Sequence, residues 1–173
     1  LPAGDPLAKE EFLAIAELDG ERKTARIFLA APLSGAAIEQ DFADRITASD
    51  SIQWDSQSEA VLARRRRTLD ALILDDQPLR DVPPEQVTAA LLAGIRALGI
   101  AALPWSREAE SLRQRVRFLQ RIAPDSGWPD WSDEALLQGL EDWLGPYLSG
   151  ITRRTQFASL DLAAALQARL PFA

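Results

Sequence analysis

The pattern of apolar residues changes at Pro83-Pro84, and this change limits the folds open to the chain. Before the two prolines, short apolar runs alternate with turn signals, whereas after them apolar residues recur every three or four positions. A period of two is typical of strands buried on one face, and a period near 3.6 is typical of helices packed on one side. The sequence therefore predicts an α+β chain in two parts, a β domain at 1–82 and an all-α bundle at 83–173.

The first part has the element order of a small antiparallel sheet with one helix. Asp19-Gly20 is a hairpin signal between two apolar runs. Pro32 is expected to stop the second strand, and Ser34 to open a helix with Ile38, Phe42 and Ile46 on one face. This order suits a strongly bent barrel or sheet of the oligonucleotide/oligosaccharide-binding (OB) type. The expected strands are 12–18, 26–30, 51–54, 60–64 and 69–74.

The second part is expected to form four helices joined by short loops. Pro84 fits the first turn of a helix that ends at Gly99. Ser106 and Ser132 each precede acidic residues, which is the pattern of an N-cap followed by charges that favour a helix start. Ser159 is expected to cap the last helix. Because the loops are short, neighbouring helices should pack antiparallel.

The absence of several residue types and motifs excludes whole classes of chemistry. Without Cys or His, the chain can form neither a disulfide, nor the usual zinc site, nor a Ser-His or Cys-His catalytic pair. It has no phosphate-binding G-x-x-x-x-G-K-[ST] loop. No apolar run approaches the roughly 20 residues of a membrane span, and no leader opens the chain, so the expected location is the cytoplasm. We expect no cofactor and no metal here, and no membrane partner.

Basic residues in three places are the candidate contacts for nucleic acid. The net charge of −7 argues against strong general affinity, so only local patches could bind a phosphate backbone. Two of the candidates share a strand face in the run 64–67, three recur every four residues along one helix face, and two lie at the hairpin tip. The candidates are Arg22, Lys23, Arg64, Arg66, Arg113, Arg117 and Arg121.

Each of these groups also has a purely structural interpretation. The run 64–67 can pair with Asp55, Glu59 and Asp70 at a solvated edge. The helical stripe can pair with the stretch 125–142, which is acidic and has no basic residue. The hairpin tip can be an ordinary polar turn. The tryptophans raise the same choice, since rings beside prolines usually fix helix junctions, whereas Trp54 on a sheet face could stack on a base.

Motifs spread over nearly the whole chain, in a fixed order, resemble those of one family. They are Ala30-Ala31-Pro32-Leu33, Trp54-Asp55, Gly94-Ile95-Arg96, Leu103-Pro104-Trp105, Trp128-Pro129-Asp130, Trp143-Leu144 and Leu160-Asp161-Leu162. Together they resemble the C-terminal region of HrpB-type ATP-dependent helicases, bacterial members of the DEAH-box group. The resemblance implies an OB-like domain that lacks its first strand, followed by an HrpB-specific helical domain. The lack of an initiator Met likewise suggests a piece of a longer protein.

The resemblance implies an accessory role rather than catalysis by this chain. In the family, two motor domains use ATP and Mg²⁺ to act on RNA or another nucleic acid, and none of their motifs is present here. The first hypothesis is a non-catalytic fragment that positions or contacts single-stranded RNA or DNA beside the motor domains. The alternative is an architectural module that docks onto other domains of the same helicase without touching nucleic acid.

Overall fold

The structure is a computed structural model that describes residues 4–19 and 25–171. The chain forms two compact units, one of Leu1–Ser49 with Arg65–Gln77 and one of Asp50–Arg64 with Pro78–Ala173. The predicted mixture of antiparallel strands and helices is confirmed. The domain boundary between 82 and 83 stays a prediction.

The strands are β1 (Phe12–Leu18), β2 (Ile27–Leu33), β3 (Ile46–Asp55), β4 (Ala60–Leu69) and β5 (Leu72–Pro78). The helices are α1 (Gly35–Asp41), α2 (Pro84–Leu98), α3 (Arg107–Ile122), α4 (Asp133–Gln138), α5 (Leu140–Trp143) and α6 (Leu162–Gln167).

The strands form two separate sheets instead of the predicted barrel. β1 pairs with β2 in antiparallel register from Phe12 opposite Leu33 to Leu18 opposite Ile27, and the ladder is irregular around Glu17. The other three strands follow the order β3-β4-β5. A barrel requires every strand to be hydrogen-bonded on both sides. Within residues 4–19 and 25–171 no ladder joins the two sheets, so a closed OB-like barrel is not found.

Several predicted boundaries in the β part are corrected. Pro32 does not stop β2, because β2 lies at a sheet edge where a residue without an N–H is tolerated. Ser34 caps α1 as predicted, with its Oγ accepting from Ala37 N at 3.2 Å. However, α1 ends at Asp41, and Ile46 begins β3. The single strand predicted at 69–74 is split by a turn at Asp70, which has a φ of 50°.

The helical core is built from leucine and isoleucine side chains on facing helices. Leu91 and Ile95 of α2, Leu140 of α5 and Leu166 of α6 are completely buried. Burying such a side chain contributes about 1.5–3 kcal/mol each. α2 has the predicted bounds and α3 begins after Ser106 as predicted, but the third predicted helix is broken at Gly139 into α4 and α5.

The last helix begins two residues later than predicted. Asp161, not Ser159, is its cap, and the Asp161 carboxylate accepts from Ala164 N at 3.0 Å. The Ser159 hydroxyl instead donates to the carbonyl of Gln156 at 2.8 Å, within the 3-10 turn Arg154–Ser159. A polar side chain within one turn of the start could fill either role, which is why the sequence pattern alone chose the wrong one.

The end of β3 packs against α2 through an aromatic ring on a glycine. The Trp54 ring lies so close to Gly94 that a Cβ at that position would overlap the ring. The Phe157 ring stacks on the Trp54 ring, with 6.4 Å between their centroids. The structural interpretation of Trp131 and Trp143 is confirmed, because both are buried in the core.

Candidate nucleic-acid interface

The arginine run on β4 is partly neutralised by carboxylates. Arg66 Nη2 lies 3.0 Å from Asp76 Oδ2, and Arg67 Nη2 lies 2.7 Å from Glu39 Oε2. Arg64 is half-buried in the same strand. The expected pairing with carboxylates therefore occurs, but with different acids, and β4 is the central strand of its sheet instead of an edge. Two of the acids that were expected to pair with the run 64–67 instead pair with other arginines. Glu59 pairs with Arg154, and Asp70 pairs with Arg45. The hairpin-tip candidates, Arg22 and Lys23, lie outside the described residues.

Arg113 is used to hold the helical unit together. Only 8% of its side chain is exposed. Its Nε donates to the carbonyl of Trp131 at 2.9 Å, its Nη2 pairs with Asp133, and its guanidinium carbon lies 4.9 Å from the centroid of the Trp105 ring. Pairing with the acidic stretch 125–142 was the structural interpretation of the stripe, and for Arg113 it is confirmed.

Arg117 and Arg121 behave differently from Arg113, although the spacing is the same. Both are exposed on α3, and neither has an ion pair within the described part of the chain. Arg115 is exposed as well, and its Nε donates to the carbonyl of Ser111 at 3.3 Å along the same helix. No acidic residue occurs between positions 111 and 124. The second half of α3 therefore contains three arginines and no carboxylate.

Two apolar side chains lie among these arginines, and sequence reasoning missed both. Phe118 is 58% exposed and Ile122 is 60% exposed. At about 100° per residue, the nine positions from the buried Ala109 to Phe118 amount to about two and a half turns, so Phe118 points to the opposite side of α3 from Ala109, away from the core. Both residues lie away from the buried positions Ala109 and Val116, and a helical wheel could have found them. We call Arg115, Arg117, Phe118, Arg121 and Ile122 the outer face of α3.

Three side chains have shifted pKa values, each with a local cause. A hydrogen bond from the Ser58 hydroxyl, at 2.6 Å, lowers the pKa of Asp55. The Glu39 carboxylate raises the pKa of Arg67. The Arg96 guanidinium, 2.5 Å from both Glu141 oxygens, lowers the pKa of Glu141. All three shifts favour the charged form. Acid catalysis needs the opposite, a carboxyl whose pKa is raised.

The Glu141 shift predicts a change in the acid sensitivity of folding. Because the pKa of Glu141 is lower in the folded chain than its ordinary 4.5, its contribution to stability is present above that value and is lost as the pH falls through the folded pKa. Glu141→Gln should therefore reduce the loss of stability on acidification. Urea unfolding at neutral pH and at acid pH measures this, and an unchanged pH dependence would contradict it.

The described residues offer no fit for ATP and Mg²⁺. No group of three or more Asp or Glu side chains there is arranged to hold a metal ion, and the sequence has no phosphate-binding loop. In the same described ranges, no helix combines the length and apolarity that crossing a bilayer would require.

Comparison with known proteins gives four consistent matches, to one family model, one relative and two solved structures. Residues 45–79 match the model of the connector region of the ATP-dependent RNA helicase HrpB. The chain is 34% identical over 172 residues to the ATP-dependent RNA helicase HrpB of Escherichia coli K12. That alignment covers 98% of this chain and 21% of the relative, so the chain spans about a fifth of the length of the curated relative it matches.

Two solved structures of E. coli HrpB also match. One, described as a DExH-box NTPase, is 33% identical, with a TM-score of 0.54 over 99% of this chain and 22% of the other. The second, described as a DEAH/RHA helicase, is 31% identical, with a TM-score of 0.54 over 98% of this chain and 21% of the other. The resemblance inferred from the sequence is thereby confirmed, and the chain corresponds to the C-terminal region of an HrpB-type helicase.

Proposed function

We propose that this chain is a non-catalytic accessory region that contacts or positions single-stranded nucleic acid beside the motor domains of an HrpB-type helicase. RNA is the preferred target in this proposal, because the matched relative is named an RNA helicase. ATP and Mg²⁺ would act in the motor domains of the whole protein. The OB-like character of the first part and a cytoplasmic location remain predictions.

The observation that carries the proposal is the pair of unneutralised arginines on α3. Arg117 and Arg121 are exposed, and no carboxylate among the described residues pairs with them. Like charges four residues apart cost a few tenths of a kcal/mol in an isolated helix. A phosphate backbone would remove that repulsion. Arg66 and Arg113 support the proposal less, because each already has a carboxylate partner.

Replacing both exposed arginines tests the proposal. The 173-residue chain should bind a fluorescein-labelled oligouridine weakly, and its affinity should fall as salt rises. For a single strand, each lost phosphate contact reduces the slope of log K against log salt by about 0.7. Arg117→Gln with Arg121→Gln should therefore make the slope shallower by about 1.4. Fluorescence anisotropy over a salt series measures both quantities.

A charge-matched double variant serves as the control. Arg80 and Arg169 are also exposed and lie outside the proposed contact, so Arg80→Gln with Arg169→Gln should leave the slope close to that of the original chain. If the two double variants give the same slope, the contact is diffuse and does not depend on α3. If the original chain shows no binding at low salt, the proposed function is wrong.

Docking onto another helicase domain is the second candidate function. A groove of about 780 Å³ lies within the helical unit, beside Trp54, and its floor includes Ala89, Ala93 and Ala97 of α2. Small side chains in a row let another backbone approach closely. This function predicts that the chain binds the separately purified motor domains and that Ala93→Gln weakens that binding without changing the affinity for oligouridine.

A further inference from the structure

We infer that Phe118 is a base-stacking platform and that the outer face of α3 recognises unpaired bases as well as phosphates. The inference rests on the proposed function and adds a binding residue to it. Its ligand class is a single strand whose bases are free to leave their own stack. It assigns a function to the exposed Phe118 ring, whose exposure is not explained by contacts between the candidate arginines and phosphates.

Phe118 is exposed and does not pack in the core. An aromatic ring 58% exposed in the middle of a well-formed helix does not contribute to the core. The core side of α3 is formed by other residues, among them Ala109 and Val116, which are fully buried. Phe118 therefore offers a ring face to solvent that the fold does not use.

Arginine side chains flank Phe118 along α3. On a helix of about 100° per residue, Arg117 and Arg121 lie to one side of the ring and Arg115 lies to the other. Arg117 and Arg121 are about 6 Å apart along the axis. Cations on both sides of an exposed ring are complementary to a polyanion that carries flat apolar groups. Single-stranded nucleic acid has this chemistry, and its bases stack on aromatic rings without regard to sequence.

This arrangement favours a single strand over a nucleic-acid duplex and over an apolar protein surface. In a duplex the bases are paired and stacked on one another, so their faces would be closed to the Phe118 ring, and only base edges, sugars and phosphates would be exposed. An apolar protein surface could cover Phe118 and Ile122, but it would bury three guanidinium groups beside them without supplying phosphates. Burying unpaired charge is costly. The preference for single strands over duplexes should therefore depend on the ring.

The experiment compares ring variants of the 173-residue chain at low salt. Phe118→Leu keeps an apolar side chain of similar size but removes the ring, and it should weaken binding to labelled oligouridine by roughly fivefold or more. Phe118→Tyr retains the ring and should bind like the original chain. Affinity for an RNA duplex of the same length should be equal in all three proteins. An oligonucleotide containing 2-aminopurine should lose fluorescence on binding to the original chain and to Phe118→Tyr, but not to Phe118→Leu.

Inorganic polyphosphate, which has charge but no bases, completes the design. Its affinity should be unchanged in Phe118→Leu, whereas an equal loss for polyphosphate and oligouridine would mean that the substitution had disturbed the arginines, and would overturn the stacking role. Equal oligouridine binding by Phe118→Leu and the original chain would also overturn it while leaving the proposed function in place. If no oligonucleotide binds but the purified motor domains do, and Phe118→Leu weakens that binding, the outer face of α3 is a protein-docking surface and both proposals fail.

Discussion

Replacing Gly94 with valine should destabilise the chain by about 3 kcal/mol, at the upper end of the usual cost of overpacking. A single Cβ at this position already overlaps the Trp54 ring. The ring cannot retreat freely, because Phe157 stacks on it. Valine adds two further carbons to the overlap, whereas its small gain in helix propensity over glycine is only some tenths of a kcal/mol. Urea unfolding followed by tryptophan fluorescence measures the loss.

Trp54, the residue that a Cβ at position 94 would overlap, provides the control for the Gly94 substitution. If the ring is the cause, Gly94→Val should cost much less in a Trp54→Ala background than in the original chain, and the difference is the coupling energy of the pair. Gly35 offers a second comparison, because the nearest atom to a Cβ there is 3.9 Å away. Gly35→Ala should be close to neutral. Equal costs of Gly94→Val in both backgrounds would show that the Trp54 ring is not responsible.

Arg113→Ala should cost roughly 3 kcal/mol, although the residue was first considered as a surface contact. Hydrogen bonds from a charged donor contribute about 1.5–3 kcal/mol, and the guanidinium over the Trp105 ring adds about 1 kcal/mol when partly desolvated. Without Arg113, the carbonyl of the buried Trp131 loses its donor. Thermal and urea unfolding measure the change in the free energy of unfolding.

The asymmetry between Arg113 and its acid partner makes this prediction specific. Asp133 is 67% exposed at its side chain, so Asp133→Asn should cost less than about 1 kcal/mol. Arg113→Lys keeps the charge but loses the planar fork, and it should recover less than half of the loss. If Asp133→Asn were as costly as Arg113→Ala, the ion pair rather than the backbone hydrogen bond and the ring would dominate.

The sequence predicted elements best where the signals are local. Ser106, followed by acids, gave the start of α3, and the Pro84 start and Gly99 end of α2 were equally clear. The signals failed where tertiary context decides. Pro32 is compatible with β2 only because β2 is an edge strand. Whether five strands close into a barrel depends on long-range ladders, which apolar periodicity does not encode.

The candidate site was only partly predictable, for a related reason. The spacing of Arg113, Arg117 and Arg121 correctly predicted that all three lie on one helix. It did not predict that their surroundings differ. Arg113 lies at the border of the buried face, where Trp105 and Asp133 reach it, whereas the other two lie beyond that border. The acids that neutralise the β4 arginines lie on other elements, Asp76 on β5 and Glu39 on α1, and neither partner could be read from the run 64–67.

The hydrogen bonds at the start of β4 have a consequence for synthesis. Val61 N donates to Thr152 O at 2.8 Å, and Glu59 pairs with Arg154, 95 residues further along the chain. On the ribosome, the first of these segments emerges well before the second, so its backbone groups must remain bonded to water or to a chaperone in the interval. Closing so long a loop slows folding more than it weakens the native state. A recombinant fragment that began at Pro83 would be free of this delay, but it would also lack the Trp54 ring that packs against Gly94.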